Sequence, residues 1–289
     1  MTCMKFRQAR LHGRRWNVQS GHQSIGNRGG RRGLGRGLST SVLERATIRL
    51  TVPDSAAPLN PSPLRALDVD LWIAERPQRF YGLEVGTKMS AIRLADGSLL
   101  LHSPVALDAR LRAELDAIGP VRFAVAPNRV HHLYAGRVAE TYPDARLWVG
   151  PGVERKRPDL VYVDVLGDEA PAEWRGQVDQ VFFRGRPYEN EVVFFHRRSR
   201  TLIICDLAFN IGPEAALPTR WLMRLIGSYG RFGPSTLDPW LIKDRASARS
   251  SLERILAWDF DRVVVAHGDV LERGGHDALR RGYRWLLAA

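Results

Sequence analysis

Short apolar runs and helical periodicities follow one another along the first half of the folded region. Strand-like runs are predicted at residues 71–75, 79–85, 89–94 and 98–102. Asp96-Gly97 separates the last two and is a strong hairpin signal. Apolar residues then recur at helical spacing from Leu107 to Ile118, and Gly119-Pro120 ends this predicted helix. A buried strand at residues 121–126, a short helix at 135–142 and a strand at 147–149 complete this half.

The second half repeats this order. A strand is predicted at residues 180–183, a hairpin joins 191–196 to 201–205, a helix covers 247–258, a strand covers 263–266, and a final helix runs through Leu279 and Leu287. Residues 209–239 break the alternation with an apolar helix and Gly- and Pro-rich sequence, which predicts a lid-like insert over the strand ends. Strands followed by alternating helices, twice over, predict an α/β (α+β) fold with two packed sheets and helices outside.

The positive charge is concentrated at the N-terminus. The net charge is +12, yet residues 1–43 hold nine basic and no acidic side chains, which leaves +3 for the rest. We therefore predict a disordered basic tail at residues 1–45 and one folded domain at 46–289, with a possible edge strand at 47–52. A transit peptide and an RNA-binding arm are alternatives to a plain extension, so organellar targeting and non-specific nucleic-acid contact stay open.

Two cysteines, Cys3 and Cys205, are too few for a disulfide framework and favour a reducing compartment, which we expect to be the cytoplasm. No apolar run is long enough to span a membrane.

Potential metal ligands follow three of the predicted strands. His131 and His132 come after residues 121–126, Asp206 comes after 201–205, and His267 comes after 263–266. Ligands bind beyond the carboxyl ends of strands in open α/β sheets. We therefore expect these side chains to meet at one sheet edge.

The same stretches resemble a known family. A hairpin-rich start, a strand ending at Ser103-Pro104, the His-His loop, the hairpin ending in Asp206 and the Ala266-His267-Gly268 segment are similar to the metallo-β-lactamase superfamily. Residues 127–136, 199–210 and 258–268 resemble its DUF4336 group most. The resemblance implies an αββα four-layer sandwich of two mixed sheets.

The resemblance also locates departures from the superfamily's metal-binding pattern. Its first loop carries His-x-His-x-Asp-His, and Asn128, Val130, His132 and Leu133 occupy those four positions here. Asp206 and His267 match family ligands, whereas Pro187 stands near the position of a further family histidine. His102 stands where the family has an aspartate close to the metals. The expected site is therefore reduced and mononuclear.

Neutral imidazole and carboxylate groups suit Zn²⁺, with Fe or Mn as alternatives. We predict that His131, His132, Asp206 and His267 supply the ligands, with His132, Asp206 and His267 around one point. Asp206 or His102 would orient or deprotonate water for a metal-dependent hydrolase acting on a small molecule. The alternatives without a metal are purely structural roles: a hydrogen-bonded histidine pair, an Asp206 that caps the following segment, and a His267 that makes a backbone hydrogen bond. In that case the protein is a non-catalytic relative that binds a small ligand or partner in the cleft.

Overall fold

Two β-sheets lie face to face, with helices on their outer faces, in the computed structural model of the chain. The structure describes residues 62–80 and 82–288, which lie within one unit, Pro58–Ala289. The strands are β1 (Leu64–Asp68), β2 (Leu71–Arg76), β3 (Arg79–Phe80), β4 (Leu83–Glu84), β5 (Thr87–Arg93), β6 (Leu99–His102), β7 (Val121–Ala126), β8 (Arg146–Val149), β9 (Val178–Phe182), β10 (Val192–His196), β11 (Thr201–Ile204) and β12 (Arg262–Val265). The helices are α1 (Ala109–Ile118), α2 (Ala135–Thr141), α3 (Val153–Lys156), α4 (Leu217–Leu225), α5 (Asp238–Leu241), α6 (Arg245–Leu256), α7 (Gly275–Gly282) and α8 (Arg284–Leu287).

Both sheets are mixed. The first has the strand order β1-β2-β5-β6-β7-β8 and is antiparallel up to β6, after which β6, β7 and β8 are parallel. The second has the order β12-β11-β10-β9, with β11 and β12 parallel. Parallel neighbours end at the same edge of a sheet, so the loops after β6 and β7 share one edge, as do those after β11 and β12.

Three apolar clusters fill the layers. Leu99 and Leu101 of β6 belong to a cluster with α1 and α2, whereas Leu100 belongs to the cluster between the two sheets. A third cluster joins the outer face of the second sheet to α6, α7 and α8. Alternate residues of a strand point to opposite faces, so β6 is covered on both sides. The four-layer architecture predicted from the sequence is confirmed.

Most element bounds agree with the sequence pattern, and the differences are local. β7 has the predicted bounds. In contrast, the predicted strand at 79–85 is replaced by two short antiparallel strands, β3 and β4, and β1 was not predicted. The predicted tail and the predicted strand at 47–52 lie outside the described residues. No helix among the described residues has both the length and the apolar character needed to cross a bilayer.

The insert at residues 209–239 contains α4 and runs up to the start of α5. Two backbone bonds join Phe209 and Gly233 within the insert, with N···O distances of 2.9 and 3.0 Å. A 2.6 Å bond from the Thr219 hydroxyl to the Glu84 carbonyl attaches the insert to β4. A lid-like insert should exchange its amide hydrogens faster than β11, and this stays a prediction.

Candidate metal centre

Three side chains from three strand ends meet between the sheets: His131 after β7, Asp206 after β11 and His267 after β12. The two Nε2 atoms of the histidines are 3.2 Å apart. His131 Nε2 lies 3.5 Å from Asp206 Oδ2, and His267 Nε2 lies 3.5 Å from Asp206 Oδ1. The expected convergence of the strand ends is therefore observed for these three residues.

Asn128 makes the turn that brings His131 into the group. Its Oδ1 accepts hydrogen bonds from the backbone N–H groups of Val130 (2.8 Å) and His131 (2.7 Å), and its amide donates to Asp206 Oδ2 at 2.7 Å. An asparagine that bonds to the backbone two and three residues on is a common loop-turning device. Asn128 is fully buried. Through these bonds it positions both the His131 loop and the Asp206 carboxylate.

The same loop is attached to the second sheet through its backbone. The Val192 N–H donates to the Pro127 carbonyl at 2.9 Å, and the Arg129 N–H donates to the Glu189 carbonyl at 2.8 Å. The Arg129 guanidinium adds a 2.7 Å bond to the Pro187 carbonyl. The turn at Asn128 is therefore held by contacts distant in sequence.

Glu191 lies behind Asp206 and fixes its backbone. One of its carboxylate oxygens accepts from the Cys205 N–H (2.6 Å) and the other from the Asp206 N–H (2.7 Å), while the Asn128 amide is 3.5 Å away. Burial, reinforced by the charge of Asp206, raises the pKa of Glu191 to about 7. Glu191 and Asn128 together determine where Asp206 points.

The outer nitrogens of both histidines have partners that leave Nε2 facing the group. His267 Nδ1 lies 2.8 Å from the Gly86 carbonyl, which only accepts, so Nδ1 carries a proton and Nε2 faces the group. His131 Nδ1 lies 3.0 Å from the Ser103 hydroxyl, which can donate or accept. Ser103 has a φ of 52°, an uncommon conformation for a residue with a side chain, at the end of β6. Partners of this kind orient metal-binding imidazoles.

Gly268 permits the close packing that places His267. It has a φ of +93°, and a Cβ atom there would lie 2.1 Å from the Asn210 carbonyl oxygen. The Asn210 N–H donates to the His267 carbonyl at 3.2 Å, which fixes the backbone at this strand end. A side chain at position 268 would displace the histidine or the insert.

Burial alone would raise the pKa of the Asp206 carboxyl. The charges of His131 and His267 and the hydrogen bonds from them outweigh this effect and hold that pKa well below its usual range. Asp206 is therefore a carboxylate at neutral pH and suits a divalent cation.

The spacing of the three groups fits a metal ion. Ligands at 2.0–2.1 Å from a tetrahedral zinc are about 3.3 Å from one another. The two imidazole nitrogens are 3.2 Å apart, and each lies 3.5 Å from a different oxygen of the Asp206 carboxylate, so neighbouring donor atoms have about the separation that ligands of one ion require. Whether a metal binds there stays a prediction.

His132, which was expected at the common point, lies elsewhere. Its Nδ1 is 3.3 Å from the Arg157 guanidinium, which also bonds to its carbonyl at 3.3 Å. Burial and the nearby charges of Lys156 and Arg157 lower the pKa of His132 to about 4, so it is neutral. The turn at Asn128 directs His131 to the group and its neighbour towards α3. The expected His132 geometry is thus wrong.

His102 was expected to line the cleft, but it is buried in the core between the sheets. It shares the face of β6 with Leu100, and its ring packs edge-on against Phe194 at 4.8 Å. Burial, with the charge of His131, lowers the pKa of His102 to about 3. Its Nε2 has no hydrogen-bond partner among the described residues. Side-chain alternation along β6 therefore makes it a core residue next to Ser103.

A buried polar cluster lies on the far side of Asp206. Arg186 donates to the Asp206 carbonyl at 2.8 Å and lies 3.0 Å from Glu189 and 3.4 Å from Asp238. The Tyr283 hydroxyl donates to Asp238 at 2.8 Å. Through the bond to the Asp206 carbonyl, this cluster positions the backbone that leads into the insert. Sequence reasoning missed it, because its members are dispersed along the chain.

Three residues that support the group were not predicted as site residues: Ser103, Asn128 and Glu191. Asn128 carried a usable signal, since an asparagine directly after a buried strand and Pro127 favours a side-chain-stabilised turn. Ser103 and Glu191 had no such local signal, because each acts on residues brought close only by the fold.

Comparison with known proteins supports the fold assignment. Residues 69–154 match the family model described as Domain of unknown function (DUF4336). None of the curated proteins matches the chain.

Several solved structures share its fold at low sequence identity. The metallo-β-lactamase DIM-1 is 13% identical with a TM-score of 0.53, covering 78% of this chain and 94% of that one. FIM-1 from Pseudomonas aeruginosa, in its mono-zinc form, is 12% identical with a TM-score of 0.51, covering 78% and 92%. The metal-soaked Flv1 flavodiiron core from Synechocystis sp. PCC6803 is 13% identical with a TM-score of 0.55, covering 78% and 60%.

These likenesses establish the architecture and not the activity. They confirm the resemblance predicted from the sequence: the chain has the metallo-β-lactamase fold and contains a segment that matches the DUF4336 family model.

Proposed function

We propose that this protein is a metal-dependent hydrolase that holds one metal ion through His131, Asp206 and His267. The observation that carries the proposal is the convergence of two imidazole nitrogens, 3.2 Å apart, with a carboxylate that has one oxygen 3.5 Å from each of them. Three protein ligands with an open fourth position are typical of catalytic rather than structural zinc sites. Zn²⁺ suits these donors, and Fe²⁺ and Mn²⁺ accept them too.

The residues of the chain would act by binding and orienting. When bound, a divalent metal would supply Lewis acidity and an activated water. Gly86 and Ser103 would keep the two imidazoles turned inward, and Asn128 would hold one oxygen of Asp206. His102, expected from the sequence to orient or deprotonate water, is buried against Phe194 with its pKa lowered to about 3, and we assign it no such role.

A single ion has a precedent in the fold. FIM-1, one of the structurally similar proteins, is described in a mono-zinc form. The first metal loop of this chain supplies only one histidine to the group, so we propose one ion rather than two.

Metal analysis of the purified full chain tests this proposal. We expect near-stoichiometric zinc, iron or manganese in the wild type, and loss of that metal in His131→Ala and in His267→Ala. His132→Ala is the matched control, because it removes the neighbouring histidine, and it should retain the metal. Circular dichroism of each variant separates lost binding from lost folding. Metal retained in His131→Ala but lost in the control would refute the ligand assignment.

A non-catalytic protein that binds a small ligand is the second candidate. It is favoured by the direct 3.2 Å contact between the two histidines and by the bond from Asn128 to Asp206, which satisfy these groups without an ion. Protein that folds normally but contains no metal after expression in metal-rich medium would support it.

A further inference from the structure

A small cavity opens beside the two histidines. Its volume is about 40 Å³, and besides His131 and His267 it is lined mainly by apolar side chains: Phe80, Val85, Pro104, Val130, Leu133 and Tyr134. Leu133 is 55% exposed and forms the outer wall.

The cavity lining holds no permanently charged side chain. Among the described residues that line it, none is Asp, Glu, Lys or Arg. Two of its polar groups bond to other residues of the chain, since the Tyr134 hydroxyl donates to Gln78 (3.1 Å) and the Ser103 hydroxyl contacts His131. A substrate phosphate or carboxylate placed here would have no side-chain cation to pair with.

An aromatic side chain lies beside the ring of His267. The ring of Phe209 is nearly parallel to the His267 imidazole, with centroids 6.0 Å apart and an interplanar angle of 18°. Nearby cations are already paired: Lys88 donates to the Gly268 carbonyl and lies 3.6 Å from Glu75, and Arg157 pairs with Asp159 at 2.6 Å.

We infer, on the premise of the proposed function, that the substrate is an uncharged carboxylic ester whose short apolar acyl group occupies this cavity. Roughly 10–15 Å³ accommodates one water, so about 40 Å³ holds a chain of roughly three or four heavy atoms. In the reaction a water oxygen bonds to the acyl carbon, the carbon–oxygen bond to the alcohol breaks, and a proton passes to the departing alkoxide.

The lining also favours an ester over an amide. An amine leaving group must be protonated as it departs, which calls for a general acid near the scissile bond. Apart from the two histidines, the lining offers only the Tyr134 hydroxyl as a titratable group, and that hydroxyl already donates to Gln78. An alcohol that leaves as an alkoxide makes a smaller demand.

Chain-length kinetics on the zinc-loaded full chain test the inference. With p-nitrophenyl acetate, propionate, butyrate, hexanoate and octanoate, kcat/KM should rise about fourfold per methylene until the cavity is full, near butyrate, and then fall. p-Nitrophenyl phosphate and bis(p-nitrophenyl) phosphate should react at least a hundredfold more slowly than butyrate. Leu133→Ala should move the optimum to a longer chain, whereas the control Leu217→Ala, 73% exposed on α4, should not.

Binding is measured separately from turnover. Methyl ketones of the same chain lengths are not hydrolysed, and saturation-transfer NMR should rank their binding in the same order and detect the same shift in Leu133→Ala. A flat chain-length profile, or faster phosphoester cleavage, would overturn the substrate assignment. If metal binds as proposed and yet ester turnover equals that of His131→Ala, this inference fails while the metal site stands. If the chain binds no metal, the proposed function fails first and the ester assignment fails with it.

Discussion

Replacing Asn128 by alanine should lower the free energy of unfolding by about 3 kcal/mol and weaken metal binding. The fully buried amide makes four hydrogen bonds, one of them to the Asp206 carboxylate and one, at 3.5 Å, to Glu191. A buried polar group left without its partner costs about 1–3 kcal/mol. Val130 and His131 are only half-buried, so water can reach their N–H groups, and the loss should stay well below four full penalties. Removing a residue that orients metal ligands typically lowers affinity by about 10–100-fold.

Urea denaturation and zinc competition against a chromophoric chelator measure these two effects. Asn210→Ala is the matched control, because that side chain makes one exposed bond to the Asp269 carbonyl at 2.9 Å and should cost under about 1 kcal/mol. The role assigned to Asn128 would be wrong if the two variants had equal stability and Asn128→Ala bound zinc as tightly as the wild type.

Three further predictions concern the surroundings of the site. Burial lowers the pKa of His102 to about 3, so the unfolded chain binds more protons below pH 6.5. Stability should therefore fall by about 1.4 kcal/mol per pH unit between pH 6.5 and 3 from this group alone. Denaturation of His102→Phe across that range should show a slope shallower by this amount, and parallel slopes would contradict the burial argument. Tyr283→Phe should cost about 1–3 kcal/mol in a thermal or urea melt, because it leaves Asp238 without its 2.8 Å donor; Tyr162→Phe, partly exposed, is the comparison and should cost little. Amide exchange should be faster in residues 209–239 than in β11, and equal protection would indicate a rigid insert.

Much of the fold could be predicted because local patterns were unambiguous. β7 is an apolar run, interrupted by Arg122, between Gly119-Pro120 and Pro127, and these flanking residues predicted both of its ends. The convergence of Asp206 and His267 followed from strand direction alone. In contrast, β1 was missed because it follows a Pro-rich stretch, and residues 79–85 lacked a signal for the tight hairpin of β3 and β4.

The choice between two adjacent histidines could not be made locally. The turn that selects His131 depends on Asn128 and on Glu191, which is 63 positions away in sequence. The prediction for His102 was wrong for a related reason. β6 is apolar on both faces, so side-chain alternation along the strand could not show which face lies between the sheets. Both errors concern the direction of a side chain rather than its place along the chain.

The three candidate ligands come from both sheets. His131 follows β7 of the first sheet, whereas Asp206 and His267 follow β11 and β12 of the second. An ion held by all three would cross-link the two sheets. Its binding free energy would then add to the free energy of unfolding of the whole domain. At a free ion concentration one hundred times the dissociation constant, binding would raise the free energy of unfolding by about 2.7 kcal/mol. A chelator would then destabilise the packing of the two sheets as well as remove the ion. Conversely, the sheets could not move relative to each other without releasing it.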